Sequence, residues 1–416
     1  MLFFYKLFIL LYYFFIRIAS LWNEKAKAWV KGRKEVFTSL QLLVGTSDQV
    51  IWMHCASAGE LEQGKPILED LKKLYPTHKY LITFFSPSGF LAGKKYSGAD
   101  IISYLPLDTR ENASRFVNII KPQLVIFVKY DFWYYHLEAI HQHKIPLLLI
   151  ASLFRKNQIF FRSYGALHRK MLGFFTQIFV QDEGSLALLH SIQIQNCSVS
   201  GDTRFDRVTS IKESFKEVPY IEKFIANQPV LVAGSTWPKD ESFLSHVSLI
   251  NERNLKLIIA PHEVNMGHIN KLLDLFPTAI TYSSLSEEAD KTSDVLIIDN
   301  TGMLSRLYHY ATITYIGGGF NKSGIHNTLE AAVWGKPVIF GPGYHKFKEA
   351  KELLNNKAAF SFSTVDELNG VINNLMKDKE TMRKASFEAK QYVYINRGAT
   401  DMIIKYIQEN RLLTTA

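Results

Sequence analysis

The sequence predicts an α/β protein in which two doubly wound, Rossmann-like domains face each other across a cleft, preceded by a membrane-anchoring helix. Short apolar runs alternate with amphipathic helical patterns in two separate series, as expected for βαβ units around parallel sheets. The chain of 416 residues is long enough for two cores. Between residues 205 and 227 the alternation is lost and charged residues surround Pro219, which indicates a linker.

The first twenty residues are dominated by Leu, Ile, Phe and Tyr, but Lys6 and Arg17 bracket their uncharged core. That core is short for a transmembrane helix, and Ile18-Ala19-Ser20 is a poor cleavage site for a signal peptide. The basic residues that follow would attract anionic lipids: Lys25, Lys27, Lys31, Arg33 and Lys34. We therefore favour an interfacial anchor, with a signal peptide and a membrane-spanning helix as the alternatives.

Apolar runs predict six strands in each domain. Those of the first domain are Val50–Cys55, Tyr80–Phe85, Ile101–Leu105, Leu124–Val128, Pro146–Ala151 and Ile178–Val180. Those of the second are Val230–Ala233, Leu257–Ala260, Ala279–Tyr282, Val295–Ile298, Ala311–Ile316 and Pro337–Phe340. Residues 366–412 have the pattern of two or three amphipathic helices. The predicted order is an anchor (1–34), a first domain (35–210), a linker (211–225), a second domain (226–385) and C-terminal helices (386–416) that pack on the first domain.

Composition restricts the classes of function. Apolar residues make up 47% and charged residues 21% of the chain, which excludes a wholly disordered protein. The net charge of +9 indicates an anionic partner, which could be nucleic acid, a membrane surface or an acidic substrate. The two cysteines, Cys55 and Cys197, do not have the spacing of a zinc site or a disulfide framework, so a reducing cytoplasm is the simplest location.

The most informative stretch is residues 315–342, YIGGGFNKSGIHNTLEAAVWGKPVIFGP, which reads as strand, glycine loop, helix and strand. Gly318 and Gly319 would let the backbone approach a ligand, and a helix N-terminus favours anions. Asn327 is the predicted N-cap, and Glu330 in the first turn could accept two hydrogen bonds from a ribose diol. The same pair matches a capping box, in which the glutamate only satisfies a backbone N–H. The stretch alone leaves both interpretations open.

Other polar segments also follow predicted strands, where parallel sheets bind their ligands. Ser57-Ala58-Gly59-Glu60 could supply Glu60 as a general base, although Ser-x-x-Glu is also the pattern of a capping box. The remaining segments are Gly234-Ser235-Thr236, Ala260-Pro261-His262-Glu263 and Asp299-Asn300-Thr301-Gly302-Met303. Their structural alternatives are, respectively, a turn with an N-cap, a solvated histidine and a helix cap. In the glycine loop, Lys322 and His326 could neutralise an anion, although such a lysine is usually only exposed.

Several motifs of metal and nucleotide chemistry are missing from the sequence. It contains no Walker A loop, no Gly-x-Gly-x-x-Gly followed by a ribose-binding acid, no His-Glu-x-x-His, no Gly-x-Ser-x-Gly and no Asp-x-Asp cluster. We therefore predict a nucleotide site that uses no metal.

In its motifs and their order the chain resembles the 3-deoxy-D-manno-octulosonic acid (Kdo) transferases, membrane-associated glycosyltransferases of the GT-B fold that use CMP-Kdo. The most specific matches are Gly317-Gly318-Gly319-Phe320, His326-Asn327-Thr328-Leu329-Glu330, Gly335-Lys336-Pro337-Val338 and Ser57-Ala58-Gly59-Glu60. The resemblance implies that Glu330 binds the ribose of CMP and that Glu60 is the catalytic base. Positions after predicted strands and in the glycine loop predict further donor contacts from Ser235, Thr236, Pro261, His262, Thr301, Gly302, Met303, Gly318, Gly319, Lys322, His326 and Asn327. The acceptor-binding residues would be Ser57, Gly59, Asp131 and Trp133.

The reaction implied by the resemblance is transfer of Kdo from CMP-Kdo to a lipid A precursor, lipid IVA, with inversion at the anomeric carbon. The implied location is the cytoplasmic face of the inner membrane, with anionic lipids as partners and with no cofactor, metal or nucleic acid. One departure lies in Lys129-Tyr130-Asp131-Phe132-Trp133-Tyr134, where the family commonly has Glu-Thr-Glu-apolar-Trp-Pro. The alternatives are another GT-B enzyme acting on a UDP-sugar, as a transferase or an epimerase, and a membrane-attached nucleotide-binding protein without catalysis.

Overall fold

The computed structural model describes residues 1–285 and 293–413. The chain divides into two compact units, one formed by Met1–Arg207 with Arg397–Ala416 and the other by Val208–Asn396. Each unit contains a parallel sheet of seven strands, so the two predicted α/β sheets are confirmed. The predicted linker at 211–225 contains the end of one helix and the whole of another, and the units divide at 207/208 and at 396/397.

The strands of the first unit are β1 (Val50–Cys55), β2 (Lys79–Phe84), β3 (Ile101–Tyr104), β4 (Pro122–Val128), β5 (Leu147–Ser152), β6 (Gln177–Val180) and β7 (Cys197–Val199). They are arranged in the order β3-β2-β1-β4-β5-β6-β7. Successive residues of β1 alternate between two buried apolar clusters, one on each face of the sheet. The strand order reverses between β1 and β4, and α/β sheets bind ligands at such a switch point because the loops there diverge.

The helices of the first unit cover both faces of its sheet, as a continuously apolar parallel sheet requires. In chain order they are α1 (Leu2–Ala19), α2 (Glu24–Gly32), α3 (Val36–Leu43), α4 (Ala58–Leu74), α5 (Pro87–Lys94), α6 (Arg110–Ile120), α7 (Tyr134–Gln142), α8 (Ala166–Leu172), α9 (Glu183–Ser191) and α10 (Thr203–Glu213), in which the unit ends.

The strands of the second unit are β8 (Val230–Thr236), β9 (Lys256–Pro261), β10 (Ile280–Thr281), β11 (Val295–Ile297), β12 (Ile313–Ile316), β13 (Val338–Phe340) and β14 (Ala359–Ser361). Their order, β10-β11-β9-β8-β12-β13-β14, reverses between β8 and β12. The helices of this unit are α11 (Ile221–Ile225), α12 (Pro238–Leu244), α13 (Ser248–Asn251), α14 (Met266–Leu275), α15 (Leu304–Leu307), α16 (Leu329–Ala332), α17 (Lys348–Asn355), α18 (Val365–Lys377) and α19 (Lys379–Ile395). The last helix of the chain, α20 (Ala399–Glu409), packs Ile403 and Ile407 into the core of the first unit.

The twelve predicted strands are all present, with ends that differ by no more than a few residues. Strands β7 and β14 were not predicted. Each has three residues, lies at one edge of its sheet and is partly exposed, so neither produces a continuous apolar run.

Helix α1 contacts the first unit along one face and exposes the other. Its Tyr5 hydroxyl donates to Asp108 and accepts from the backbone N–H of Tyr134 at 3.1 Å, and Ile9 is buried. The exposed apolar residues are Phe3, Phe4, Leu7, Phe8, Leu10, Leu11, Phe14, Phe15 and Ile18. By length and composition, α1 is apolar enough to cross a membrane.

Candidate active site

Glu60 lies in the first turn of α4, directly after β1. The backbone N–H of Ser57, the N-cap residue, donates to Glu60 Oε2 at 3.1 Å, so the carboxylate has the structural role of a capping residue. Burial raises the pKa of Glu60, and the negative charge of Asp131 raises it further, while His54 and Lys129 act in the opposite direction. A carboxylate with a raised pKa is a stronger base, which is the property that proton abstraction requires.

A chain of hydrogen bonds holds Asp131, whose charge acts on Glu60. His54, fully buried in β1, contacts Asp131 Oδ2 through Nε2 at 2.7 Å and Thr83 Oγ1 through Nδ1 at 2.8 Å. The Trp52 indole N–H donates to the same Thr83 oxygen at 2.8 Å. The His54 ring thus links Thr83 to the Asp131 carboxylate and fixes the position of that carboxylate. This arrangement positions a negative charge beside Glu60 at the switch point of the sheet.

The other predicted acceptor residues have different surroundings. Trp133 is the N-cap of α7, and its ring stacks on Phe85 with centroids 4.7 Å apart, in an aromatic cluster that includes Tyr12 of α1. Gly59 is exposed, and a Cβ there would meet no atom nearer than Ser57 Oγ at 4.0 Å. The structure therefore connects Trp133 to the N-terminal helices and gives no steric reason for a glycine at 59.

In the second unit, the glycine loop after β12 packs tightly against its neighbours. A Cβ on Gly317 would lie 2.2 Å from the Ser235 carbonyl oxygen, and one on Gly319 would lie 2.6 Å from Gly341 Cα. Gly318 has φ +90°, and its N–H donates to Asp240 Oδ2 at 2.9 Å. The N–H of Gly317 likewise donates to a backbone carbonyl. The N–H groups of the first two glycines thus already donate to protein acceptors.

The predicted helix after this loop is shorter than expected. Thr328, rather than Asn327, is the N-cap of α16, which has only four residues. The Asn327 side chain instead bridges locally: Oδ1 accepts from Leu329 N–H, and Nδ2 donates to Glu330 Oε1, both at 3.1 Å. A single helical turn has too small a dipole to serve as an anion site. What the structure provides here is a half-buried carboxylate, Glu330, held by an amide.

Three aromatic rings lie at the switch point of the second sheet. Trp237 follows β8, His262 follows β9 and His326 lies in the loop after β12. The His262 ring stacks on Trp237 and on His326, with centroids 4.6 Å and 4.5 Å apart, and the Trp237 indole donates to His326 Nε2 at 3.1 Å. His262 and His326 were predicted, but Trp237 was not, because only its position after a strand distinguishes it in the sequence.

The remaining predicted donor residues differ in their exposure. Thr236 is fully buried and its hydroxyl donates to Glu241 at 2.9 Å, so this hydroxyl is occupied by a protein group. Ser235 is half-buried, with φ +54°. The others are the buried Pro261 and Met303 and the exposed Thr301, Gly302 and Lys322. Within residues 1–285 and 293–413, no group of three or more His, Cys, Asp or Glu side chains could hold a metal ion.

The chain is similar to known Kdo transferases. Residues 27–207 match the family model described as 3-deoxy-D-manno-octulosonic-acid transferase (kdotransferase). The chain is 29% identical to the 3-deoxy-D-manno-octulosonic acid transferase of Aquifex aeolicus over 80% of this chain and 88% of that protein. It is 25% identical to the enzyme of the same name from Haemophilus influenzae, over 87% and 88% of the two chains.

Solved structures agree with this fold. The UDP-GlcNAc 2-epimerase of Neisseria meningitidis, bound to UDP-GlcNAc, superposes with a TM-score of 0.61 at 18% identity, over 87% of this chain and all of that one. Acinetobacter baumannii MurG superposes with a TM-score of 0.52 at 13% identity, over 87% and 99%. At such identities the likeness shows the fold alone, which is GT-B. Residues 27–207 thus match the Kdo transferase family model, and most of the chain is similar to Kdo transferases, which supports a glycosyltransferase of this kind with the GT-B fold.

Proposed function

We propose that this protein transfers Kdo from CMP-Kdo to a lipid A precursor, lipid IVA, with inversion at the anomeric carbon and without a metal or cofactor. The observation that carries the proposal is the pair of carboxylates, Glu60 and Asp131, that follow the two strands at the switch point of the first sheet. In a chain similar to Kdo transferases, such a pair is suited to activating a sugar hydroxyl.

Glu60 is the proposed general base. It takes the proton of an acceptor hydroxyl while the hydroxyl oxygen attacks the anomeric carbon of Kdo, and the bond to the phosphate oxygen breaks, so CMP leaves with the electron pair. Asp131, held by His54 at 2.7 Å, increases the proton affinity of Glu60 because a second negative charge nearby disfavours ionisation. Lys129 and His54 lie close enough to oppose this shift.

The proposed donor site is the loop edge of the second sheet. Glu330 accepts hydrogen bonds from the ribose hydroxyls of CMP, with its carboxylate oriented by Asn327. His326, the exposed His262 and Lys322 are the proposed contacts to the phosphate and to the Kdo carboxylate. No metal is needed in this scheme, since a single phosphate as leaving group requires only moderate charge stabilisation.

The proposed acceptor reaches the enzyme from the cytoplasmic face of the inner membrane. One face of α1 is held by the first unit through Tyr5 and Ile9, so its exposed apolar face is available to lie in the lipid interface. The basic residues of α2 and its surroundings would bind anionic headgroups. Lipids and acidic sugars thus explain the net charge of +9 without nucleic acid.

The test is transfer by the purified full-length protein in detergent with EDTA present. CMP-Kdo and lipid IVA are supplied, and the lipid is analysed by mass spectrometry, with UDP-GlcNAc replacing CMP-Kdo in a parallel reaction. We expect lipid IVA to gain Kdo only with CMP-Kdo. A lipid without Kdo, or turnover of UDP-GlcNAc at a comparable rate, would refute the proposed donor.

A further inference from the structure

The contact between Trp237 and His326 determines the protonation of the histidine. An indole nitrogen can only donate a hydrogen bond, so His326 Nε2, 3.1 Å from Trp237 Nε1, must be the acceptor. A neutral imidazole that accepts at Nε2 carries its only ring proton on Nδ1. None of the hydrogen bonds within residues 1–285 and 293–413 uses His326 Nδ1, and this atom is not among the buried polar atoms that lack a partner. A neutral N–H donor is therefore accessible at this site.

The surroundings hold His326 in place. Its backbone N–H donates to the Gly317 carbonyl at 3.1 Å, and a Cβ on Gly318 would lie 3.1 Å from Cδ2 of the ring. His262 covers the ring with centroids 4.5 Å apart. The absence of a side chain at 318 leaves the space that the imidazole occupies beside the indole.

The charged state of His326 is disfavoured. Burial, together with the charge of the stacked His262, lowers the pKa of His326 to about 4. The ring of His262, which is titratable, contacts that of His326, the Asp240 carboxylate accepts the Gly318 N–H, and Lys322 belongs to the same loop. A hydrogen bond accepted by Nε2 favours the neutral form further, because it would have to break on protonation.

We propose that Trp237 is a positioning residue that holds His326 as the neutral tautomer with its proton on Nδ1, so that Nδ1–H donates to an anionic oxygen of the donor nucleotide sugar. The identity of the ligand rests on the proposed function. The tautomer rests only on the hydrogen bond between Trp237 and His326. The anionic oxygen belongs either to the phosphate or to the sugar carboxylate. Unlike an imidazolium, a neutral donor keeps the same strength throughout the neutral pH range.

The test compares Trp237→Phe with the parent and with Trp334→Phe. Phenylalanine retains a ring for His262 to stack on and lacks only the indole N–H. Trp334 is the matched control, because its indole N–H donates to the Ser305 carbonyl at 2.9 Å, so its substitution removes an indole donor that does not contact His326. Circular dichroism and melting temperature establish that each variant is folded.

The first readout is the ¹⁵N NMR spectrum of protein labelled at its 13 histidines, with the His326 signals assigned from their loss in His326→Asn. In the parent and in Trp334→Phe we expect a protonated Nδ1 and an unprotonated Nε2. In Trp237→Phe we expect a mixture of tautomers and a higher pKa for His326. An unchanged tautomer and titration in Trp237→Phe would overturn the positioning role.

The second readout is steady-state kinetics with CMP-Kdo. Because one hydrogen bond is weakened, we expect KM for CMP-Kdo to rise by roughly three- to tenfold in Trp237→Phe, with kcat within about twofold of the parent. His326→Asn places an amide N–H near the position of Nδ1 and should retain donor affinity, whereas His326→Phe should lose it. If His326→Phe retains the affinity of the parent, the role of Nδ1–H is refuted even if Trp237→Phe does not fold.

Calorimetry with CMP and with CMP-Kdo distinguishes the phosphate from the sugar carboxylate, and it tests the ligand separately from the positioning role of Trp237. A loss in His326→Phe for both ligands assigns the phosphate, and a loss for CMP-Kdo alone assigns the carboxylate; either supports the proposal. A parent protein that binds neither ligand would refute the proposed function and the assigned ligand together. Binding by the parent with an unaltered tautomer in Trp237→Phe would refute the positioning role alone.

Discussion

Glu60→Gln is the substitution that separates the two roles of this side chain. Glu60 Oε2 accepts the Ser57 N–H at 3.1 Å, and its carboxylate is also the proposed base. A glutamine carbonyl can accept the same N–H, but an amide cannot take a proton at an ordinary pH. The variant therefore keeps the helix cap and loses only the base.

The expected effects on rate and on stability differ in size. General-base catalysis contributes about 10²- to 10⁴-fold, so kcat should fall by that factor, which corresponds to roughly 3–5 kcal/mol of activation free energy. A hydrogen bond to a charged group stabilises by about 1.5–3 kcal/mol and one to a neutral group by about 0.5–1.5 kcal/mol, so the cap weakens by about 1 kcal/mol. Burial disfavours the ionised form of Glu60. A neutral glutamine avoids this cost, which offsets part of the stability lost from the weaker cap. We expect the free energy of unfolding to change by less than about 1 kcal/mol.

The dependence of stability on pH provides a second comparison. Because the pKa of Glu60 is raised in the folded protein, the folded state binds more protons than the unfolded chain between the ordinary and the raised pKa. The parent therefore loses stability as pH rises through this window, and Glu60→Gln lacks this loss.

The assay measures initial rates of Kdo transfer to lipid IVA in detergent together with the melting temperature. Glu62→Gln is the matched control, because Glu62 lies on the same helix with an exposed side chain that pairs with Lys65 and Arg207. A folded Glu60→Gln protein that transfers Kdo at the parent rate would refute the role of Glu60 as base. A variant that fails to fold while Glu62→Gln is normal would show that capping is its main role.

Three further substitutions test other parts of the site and the membrane contact. Glu330→Gln should weaken CMP binding by about tenfold in calorimetry without changing the melting temperature, since hydrogen bonds to a charged acceptor are stronger than those to an amide; unchanged affinity would refute the ribose-binding role of Glu330. Asp131→Asn removes a negative charge that raises the pKa of Glu60, so the acid limb of the pH profile of kcat/KM should move to lower pH. An unchanged acid limb would contradict the effect of Asp131 on Glu60. The double variant Phe4→Asp/Phe8→Asp changes side chains that are 71% and 59% exposed. It should reduce cosedimentation with anionic vesicles at least about tenfold, with the melting temperature of the parent. Unreduced vesicle binding would exclude this face of α1 as the membrane contact.

Most strands of the fold could be predicted because each one forms an apolar run in the local sequence. A strand buried on both faces, such as β1, must be a continuous apolar run, whereas β7 and β14 at the sheet edges need not be. Asn327 was predicted as the N-cap of α16 from residue preference, but its side chain bonds to Leu329 and Glu330, and the N-cap is Thr328, one residue later.

The site could be predicted only in part, because its decisive contacts join distant residues. Glu60, His326 and Glu330 were found from their positions after strands. The partners that define their chemistry lie far away in sequence: His54 is 77 residues from Asp131, and Trp237 is 89 residues from His326. These pairs come together only because β1 neighbours β4 and β8 neighbours β12, and strand order is not encoded in any local pattern.

The most direct test of the central claim is the anomeric configuration of the Kdo linkage formed on lipid IVA from CMP-Kdo in the presence of EDTA, determined by ¹³C NMR. Direct attack by a hydroxyl activated by Glu60 should give the configuration opposite to that of the donor, in parent protein and, at a much lower rate, in Glu60→Gln. Retention of the donor configuration, or a requirement for added divalent metal, would contradict the proposed chemistry.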